Sequence, residues 1–313
     1  MKKVFLPWIE KEKHRLHITS LSTNIMAMDY LEENPEKICW LCISKNSSAI
    51  YLLEKNQEKI NWRHFSRNCN AIELLKKNKE KIHWGQLSLN INCAELIKEH
   101  CHEIEIHWGS ICSKINEIEF LENNLEEIDW SRLSENPHAI PLLEKNQDKI
   151  DWHNLSGNKN AISLLENNRD KIDWVMLSGN VNAFHLIQEK MKTGISIADY
   201  QIDSHYVRSY TPDRNNLNLS QLCRNPMAMP LLEKLENINW IQLSSNRNAL
   251  KLLEKNQDKI DWYELSGNPG IFMFDYDFYK KRMDIHREEL MKKVFHPRRL
   301  VYYLDKGYNI FDF

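Results

Sequence analysis

Lys149-Ile-Asp-Trp-His-Asn-Leu-Ser-Gly-Asn-Lys-Asn-Ala-Ile-Ser-Leu-Leu-Glu-Asn-Asn168 is the clearest copy of a motif that recurs along the chain. Apart from one step of 24 residues and one longer gap, its tryptophan returns every 22 residues, at Trp40, Trp62, Trp84, Trp108, Trp130, Trp152, Trp174, Trp240 and Trp262. A fixed period of this length is typical of repeat proteins, in which each unit packs against its two neighbours. The motif therefore predicts a tandem array.

The frame also fits units that lack the tryptophan. Ile18 and Leu219 take its place, and each is followed at the usual distances by the asparagine and the alanine of the motif. A further, degenerate unit is expected near Ile197. The array then contains about twelve units of roughly 22 residues between residues 10 and 275.

Each unit is predicted to form two short helices. The apolar residues from Ala161 to Leu165 share one face of a helix, with Asn158 as its N-cap and Asn168 in a left-handed conformation at its end. A second helix begins at the N-cap Asp173 and lasts little more than one turn. Helices this short are marginal alone, so stacking between units must stabilise them.

The predicted fold is an all-α solenoid in which each unit has an α-helix and a short, 3₁₀-like helix. Helix spacings of about 8–10 Å predict an arc on the order of 100 Å long. Residues 1–275 form the solenoid, with an irregular unit at about 190–216, and residues 276–313 form a helical C-terminal cap. The shorter, tryptophan-led helices are expected to line the inner side of the arc.

Composition excludes several classes of function. Lysine and arginine total 42 against 44 acidic residues, so a net charge of −2 gives no reason to expect a membrane surface as the main partner. The chain shows no membrane span, no phosphate loop, no catalytic serine or metal-helix motif, and no indication of a cofactor or small-molecule substrate. Seven cysteines without a signal peptide favour a reducing, intracellular compartment. An enzyme is not expected.

Residues 10–275, with their Lys-Ile-Asp-Trp core, resemble the tandem 22-residue repeats of proteins from mimivirus-like giant DNA viruses that infect protists. The segments Ile271-Phe-Met-Phe-Asp-Tyr-Asp-Phe-Tyr-Lys-Lys-Arg-Met-Asp, Arg287-Glu-Glu-Leu290 and Phe295-His-Pro-Arg-Arg-Leu300 look like the C-terminal part of that family. The resemblance implies a viral protein made in the host cytoplasm, in the viral factory or for the virion, but no catalytic residues. The unit is also similar, more loosely, to leucine-rich variant repeats.

The irregular segment is the first candidate binding site. It contains aromatic and basic residues of the types enriched at binding hot spots: Tyr200, His205, Tyr206, Arg208 and Tyr210. A partner-binding insertion is one interpretation. A decayed unit whose aromatic side chains fill a core without its tryptophan is the other, favoured one.

Histidine and cysteine residues crowd around the 24-residue step before Trp108. His100, Cys101, His107 and Cys112 offer the ligand types that a structural zinc site requires. Packed thiols and exposed imidazoles are the preferred interpretation, and no metal is expected.

The first two positions after each tryptophan differ from unit to unit and are predicted to face inward. Arg132, His153 and Tyr263 are therefore candidate partner-binding residues. The predicted function is a non-enzymatic scaffold that binds another macromolecule, most plausibly a protein. The alternatives are an RNA-binding adaptor that uses the irregular segment and the basic C-terminal residues, and a structural component of the virion.

Overall fold

The computed structural model describes residues 2–100, 107–194, 197–198, 214–235, 237–294, 296, 301 and 306. Helices make up 65% of it and recur with the 22-residue period, which confirms the predicted all-α solenoid. Each unit begins with a short inner helix, and these span Ile18–Thr23, Trp40–Ile43, Trp62–Phe65, Trp84–Leu87, Trp108–Lys114, Trp130–Ser134, Trp152–Gly157, Trp174–Leu177, Leu219–Arg224, Trp240–Ser244 and Trp262–Gly267.

An outer helix follows each of the first ten inner helices. The outer helices span Met28–Glu33, Ile50–Lys55, Ile72–Lys77, Ala94–His100, Ile118–Glu122, Ile140–Lys145, Ile162–Asn167, Phe184–Lys192, Met229–Leu232 and Leu250–Lys255. Short 3₁₀ helices flank them at Pro35–Lys37, Ser47–Ala49, Gln57–Lys59, Lys79–Lys81, Leu125–Glu127, Gln147–Lys149, Arg169–Lys171, Pro226–Ala228, Gln257–Lys259 and Pro269–Ile271.

Where helices of neighbouring units come into close contact, they are the inner helices. In a curved stack the more closely spaced elements lie at the smaller radius. The tryptophan-led helices therefore line the inside, as predicted. The outer helices form the convex surface, and the apolar core lies between the two layers.

Two buried polar residues connect each unit to the preceding one. The Ser156 hydroxyl donates to the Trp152 carbonyl (2.7 Å) and accepts from the backbone N–H of Asp173 (2.9 Å). The Asn158 side-chain amide donates to the carbonyls of Ser134 (3.0 Å) and Asn136 (2.9 Å). Equivalent amide pairs occur at Asn46, Asn68, Asn90, Asn180 and Asn225. This asparagine ladder satisfies backbone carbonyls that would otherwise be buried unpaired.

The stack closes on itself. The backbone N–H of His17 donates to the Ser266 hydroxyl (2.8 Å), and the Asn24 amide donates to the carbonyls of Ser266 (3.1 Å) and Asn268 (3.0 Å). The same kinds of bond join most of the other neighbouring units, and here they form between the first and the last inner helix. The expected open arc is therefore a closed ring with eleven inner helices in the described part of the chain.

The last unit is assembled from both ends of the chain. Its inner helix is Trp262–Gly267, whereas its outer layer is the N-terminal helix Pro7–Glu12 with the 3₁₀ turn Lys13–Arg15. Ile9 is fully buried, and the Arg15 guanidinium lies 4.3 Å from the centre of the Trp262 ring. We call this junction the seam.

A small antiparallel sheet completes the seam. The strands Lys3–Phe5 and Phe272–Phe274 pair with Val4 opposite Met273. The rings of Phe5 and Phe272 stack with their centres 4.5 Å apart. The two ends of the array are thus joined by backbone hydrogen bonds as well as by apolar packing.

The degenerate unit expected near Ile197 is not part of the stack. The Asn225 amide donates directly to the carbonyls of Ser178 and Asn180, so the Leu219 unit packs on the Trp174 unit. Ile197–Ala198 instead forms a short parallel strand beside Leu217–Asn218. The described residues of the irregular segment therefore leave and re-enter the ring between two adjacent units.

Two details of the predicted unit were wrong. Asn168 has φ −135° rather than a left-handed conformation, because a 3₁₀ turn follows it directly. Asn158 accepts from the backbone N–H of Asn160 (3.0 Å) and so caps a turn, while Ala161 holds the N-cap position of the helix.

The C-terminal segment is helical from Tyr276 to Val294, as expected. Its apolar side chains Phe278, Met283 and Leu290 are exposed, and the face of the last unit is covered by the first unit instead. Ring closure thus removes the exposed end that a cap was expected to cover.

Candidate functional site on the inner face of the ring

Three positions of each inner helix face the inside of the ring. The third and fourth residues after the leading position are buried, as Leu155 and Ser156 are, so the first, second and fifth residues lie on the open side. We call the surface formed by these three positions the inner face. The buried exceptions at these positions are Val175, Ser20 and Ser113. A pocket of about 210 Å³ on this face is lined by such residues from three consecutive units across the seam, including Cys42, Lys45 and Tyr263.

Three of the predicted binding residues lie on the inner face. Arg132 is exposed and lies 3.6 Å from the carboxylate of Glu135. Tyr263 is 53% exposed, and its ring contacts the imidazole of His17 edge-on. These residues lie on different parts of the ring, so no single small site contains both of them.

His153 is anchored to the next unit. Its Nδ1 atom lies 2.7 Å from Oδ2 of the buried Asp173, and the Arg214 Nε atom lies 3.5 Å from the same oxygen. The hydrogen bond that the His153 imidazole donates to the Asp173 carboxylate raises the pKa of His153, against the opposing effects of burial and of Arg214. Because the Arg214 carbonyl also accepts from the backbone N–H of Trp174 (2.8 Å), this cluster fixes the point where the irregular segment rejoins the ring.

A cluster of positive charge on the inner face was missed in the sequence. Lys45, Arg63 and Arg67 come from two adjacent inner helices and are all exposed. Burial lowers the pKa of the neighbouring His64, and these three cations lower it further, so they share one electrostatic environment. Within the described part of the chain none of the three forms an ion pair. We call them the cationic cluster.

Exposed apolar residues form a row beside the cationic cluster. Ile241 and Tyr263 occupy the first inner position of the last two units, and Leu41 occupies it in the unit that contains Lys45. Their side chains are 54%, 53% and 48% exposed. We call them the apolar row. The sequence does show that equivalent inner positions carry different residues, which is the signal for both the cationic cluster and the apolar row. However, only ring closure brings Ile241 and Tyr263 near Leu41.

The histidine and cysteine residues around Trp108 are separated in the structure. The imidazole of His100 packs on Trp84 with ring centres 5.1 Å apart, and the His107 Nδ1 atom accepts from the backbone N–H of Ser110. Cys112 is buried, which raises the pKa of its thiol. Among the described residues no group of three or more His, Cys, Asp or Glu side chains is placed to hold a metal ion. Cys101 lies outside the described residues.

The aromatic and basic candidates of the irregular segment, Tyr200, His205, Tyr206, Arg208 and Tyr210, also lie outside the described residues. A further cavity of about 510 Å³ lies at the outer side of the seam, where it is lined by charges of both signs, among them Lys2, Glu33 and Asp275. Lys2 and Glu33 pair at 2.6 Å, so part of that charge is already satisfied.

No helix in the part of the chain that the structure describes is both long and apolar enough to cross a membrane. Comparison of the chain with protein-family models, with curated proteins and with solved structures finds no match.

Proposed function

We propose that this protein is a non-enzymatic interaction scaffold whose inner face binds a segment of another protein. The observation that carries the proposal is the contrast, within each unit, between constant buried residues and variable exposed ones. In most units the buried serine, asparagine and leucine make the same contacts, whereas the inner positions differ from one unit to the next. A constant framework with a variable concave surface is the arrangement by which repeat proteins recognise one particular partner.

The contacts of the charged residues support this assignment. Some cations on the outer helices pair with carboxylates of a neighbouring unit. Lys76 pairs with Glu95 of the following unit (2.7 Å) and Lys145 with Glu122 of the preceding unit (3.1 Å). The cationic cluster on the inner face has no such partner among the described residues. Unsatisfied cations beside exposed apolar side chains are typical of binding surfaces.

The proposed setting is the inside of a cell, and the resemblance of the repeat motif to giant-virus proteins favours the cytoplasm of an infected host. Affinity purification of the tagged full chain from such cells, with and without nuclease, tests the function. We expect protein partners that survive nuclease and are lost when Arg132, His153 and Tyr263 are changed to alanine. Partners that disappear with nuclease would favour the RNA-binding adaptor instead.

The matched control changes Lys145 and Lys255 on the outer helices to alanine and should leave the partners in place. If the outer variant loses them and the inner variant keeps them, the binding surface is on the convex side and the proposal is wrong.

A further inference from the structure

The cationic cluster combines charge and geometry that a flat surface would not provide. Arg63 and Arg67 are the first and fifth inner positions of one unit, and Lys45 is the fifth position of the unit before it. All three are exposed on the inner face of the ring. Because water is partly excluded from a concave surface, cations placed there interact more strongly with an anionic ligand than dispersed surface lysines do.

The apolar row lies on the same arc of the inner face. In five successive units around the ring, the first inner position is occupied in turn by Ile241, Tyr263, Thr19, Leu41 and Arg63. The arc therefore changes from apolar to cationic in one direction.

The spacing of the units fits an extended polypeptide. Helices in contact are about 8–10 Å apart, and an extended chain in the polyproline II conformation advances about 3.1 Å per residue with three residues per turn. Every third side chain of such a peptide lies on the same side, so a peptide that follows the arc would present one side chain to each unit at every third residue. Along the arc, the inner positions hold apolar residues at one end and cations at the other. A complementary peptide therefore has apolar residues at this spacing, followed by carboxylates or phosphoserines.

On these grounds we infer that the inner face between Ile241 and Arg67 is a docking groove for an extended acidic segment of a partner protein, with its apolar residues on the apolar row and its anionic residues on the cationic cluster. This inference rests on the proposed function and specifies its partner. It specifies the chemistry of the ligand and the part of the ring that binds it.

Features of the groove favour a peptide over a single-stranded nucleic acid. Nucleic acids present a phosphate at every residue and are bound along tracks of cations with stacking aromatic side chains. Here the three cations are confined to one end, and the other end carries the aliphatic Ile241 and the carboxylate of Glu264. A uniformly charged polymer would be repelled by that carboxylate, whereas an acidic peptide places its charges only at the cationic end.

A display library of random twelve-residue peptides, selected on the immobilised full chain, tests the inference. We expect enriched peptides to carry two or more acidic residues next to apolar residues spaced by three. The best sequence, synthesised with a fluorescent label, should bind in an anisotropy titration. Changing Lys45, Arg63 and Arg67 together to alanine should weaken that binding at least tenfold, and Leu41→Ser should weaken it several-fold.

The control variant changes the same number of cations on the outer helices, Lys77, Lys251 and Lys255, to alanine and should bind like the unmodified chain. All six lysines and arginines are exposed, so melting curves of the two triple variants should coincide with that of the parent. Equal loss of binding in both variants would mean that only net charge matters and would overturn the inference.

Other outcomes separate this inference from the function on which it rests. Enriched peptides that lack acidic residues, or that bind the cationic-cluster variant unchanged, overturn the acidic ligand and leave the scaffold function standing. A twelve-nucleotide single-stranded RNA that binds more tightly than the peptide through the same three cations overturns both. Failure to enrich any peptide also argues against both.

Discussion

In five units the lysine of the 3₁₀ turn that follows the outer helix lies over the tryptophan ring of the same unit. Lys171 lies 4.5 Å from the centre of the Trp152 ring, and the same contact recurs in four further units. Ile172 is buried in the core, and the Asp173 side chain accepts from the backbone N–H of Met176 (3.1 Å) to cap the inner helix. One four-residue motif thus supplies a cation–π contact, core packing and a helix cap.

Removal of the tryptophan ring should destabilise the ring of units less than removal of a fully buried side chain would. Trp152 is half-buried, so we expect Trp152→Ala to lower the free energy of unfolding by about 2–3 kcal/mol. Lys171→Ala should cost about 0.5–1 kcal/mol, because the lysine contributes only the cation–π contact. Urea unfolding measures both. A change below about 0.5 kcal/mol for Trp152→Ala would show that the ring is a surface feature.

The asparagine ladder offers a sharper test. Asn158→Ala removes two donors and one acceptor that are buried, and it leaves the carbonyls of Ser134 and Asn136 without them. We expect a loss of about 2–4 kcal/mol in the free energy of unfolding. Asn160 is exposed and donates to a single carbonyl, that of Pro137 (2.9 Å), so Asn160→Ala should cost less than 1 kcal/mol. Equal losses would contradict the structural role of the ladder.

The pair of His153 and Asp173 makes stability depend on pH. The folded-state pKa of His153 is raised from 6.5, so the pair stabilises the fold fully below that pH and loses its effect as the pH rises through the folded pKa. The difference in unfolding free energy between the parent and His153→Gln should therefore be larger at pH 5.5 than at pH 8.5. It should stay under about 1 kcal/mol, because a third of the imidazole is exposed.

The exposed Asn160 provides the control for this pH dependence. It carries no titratable group, so Asn160→Ala should show the same small effect at both pH values. A gap for His153→Gln that widened with rising pH would mean that the interaction with Asp173 has been assigned the wrong sign.

Among the helices, the N-terminal helix Pro7–Glu12 was the least predictable from the sequence. Trp8-Ile9 stands where other units have Leu-Leu, and Arg15-Leu16-His17-Ile18 stands where they have Lys-Ile-Asp-Trp. The array thus begins with the second half of a unit and ends with the first half of one. That pattern is visible in the sequence, but it becomes interpretable only when the two halves are known to meet.

If this helix completes the last unit, its core residue should be as important as the equivalent residue inside the array. Ile9 and Leu165 are both fully buried at matching positions. We expect Ile9→Ala and Leu165→Ala each to lower the free energy of unfolding by about 2–5 kcal/mol. Thermal or urea unfolding gives both values. A loss at Ile9 within about 0.5 kcal/mol would identify the N-terminal helix as a loosely attached appendage.

The repeat period, the two helices of a unit and the inward orientation of the tryptophan-led helices were all predictable, because they follow from local patterns of apolar and capping residues. Ring closure was not, since the curvature that brings Asn24 to Ser266 accumulates from small rotations that no single motif encodes. The apolar row was hidden for the same reason, because it spans the seam. Arg63, at the first position after its tryptophan, was predicted to face inward, but Lys45 and Arg67 were missed because they occupy the fifth inner position.

For the molecule as a whole, the seam is the place where two neighbouring units are not connected by the polypeptide chain itself. Lys3 and Phe274 face each other at a non-hydrogen-bonded position of the small sheet, because Leu6 bonds to Ile271 and Asp275 to Lys2 on either side. A disulfide in the variant Lys3→Cys, Phe274→Cys would convert the seam into a covalent link. In its oxidised form we expect a gain of about 2–4 kcal/mol, from the reduced entropy of the unfolded chain.

Denaturant unfolding with and without reducing agent measures this gain, and the reduced variant serves as its own control. Peptide mapping confirms that the introduced thiols, rather than Cys39 or Cys42, have reacted. A disulfide that forms without raising stability would indicate that the ends of the chain are not joined in the folded protein.

The composite last unit also sets up a competition between cyclisation and polymerisation. If the seam opens, the chain exposes two complementary half-units, one near each end. Each half-unit can pair with the other end of its own chain or with the matching end of another opened copy. Because the far end is tethered, its effective concentration is of the millimolar order, so closure within one chain dominates in dilute solution. At much higher local concentration the same contacts would link opened chains head to tail. A single protein could thus pass from discrete rings to linear filaments with no new interface, through crowding alone.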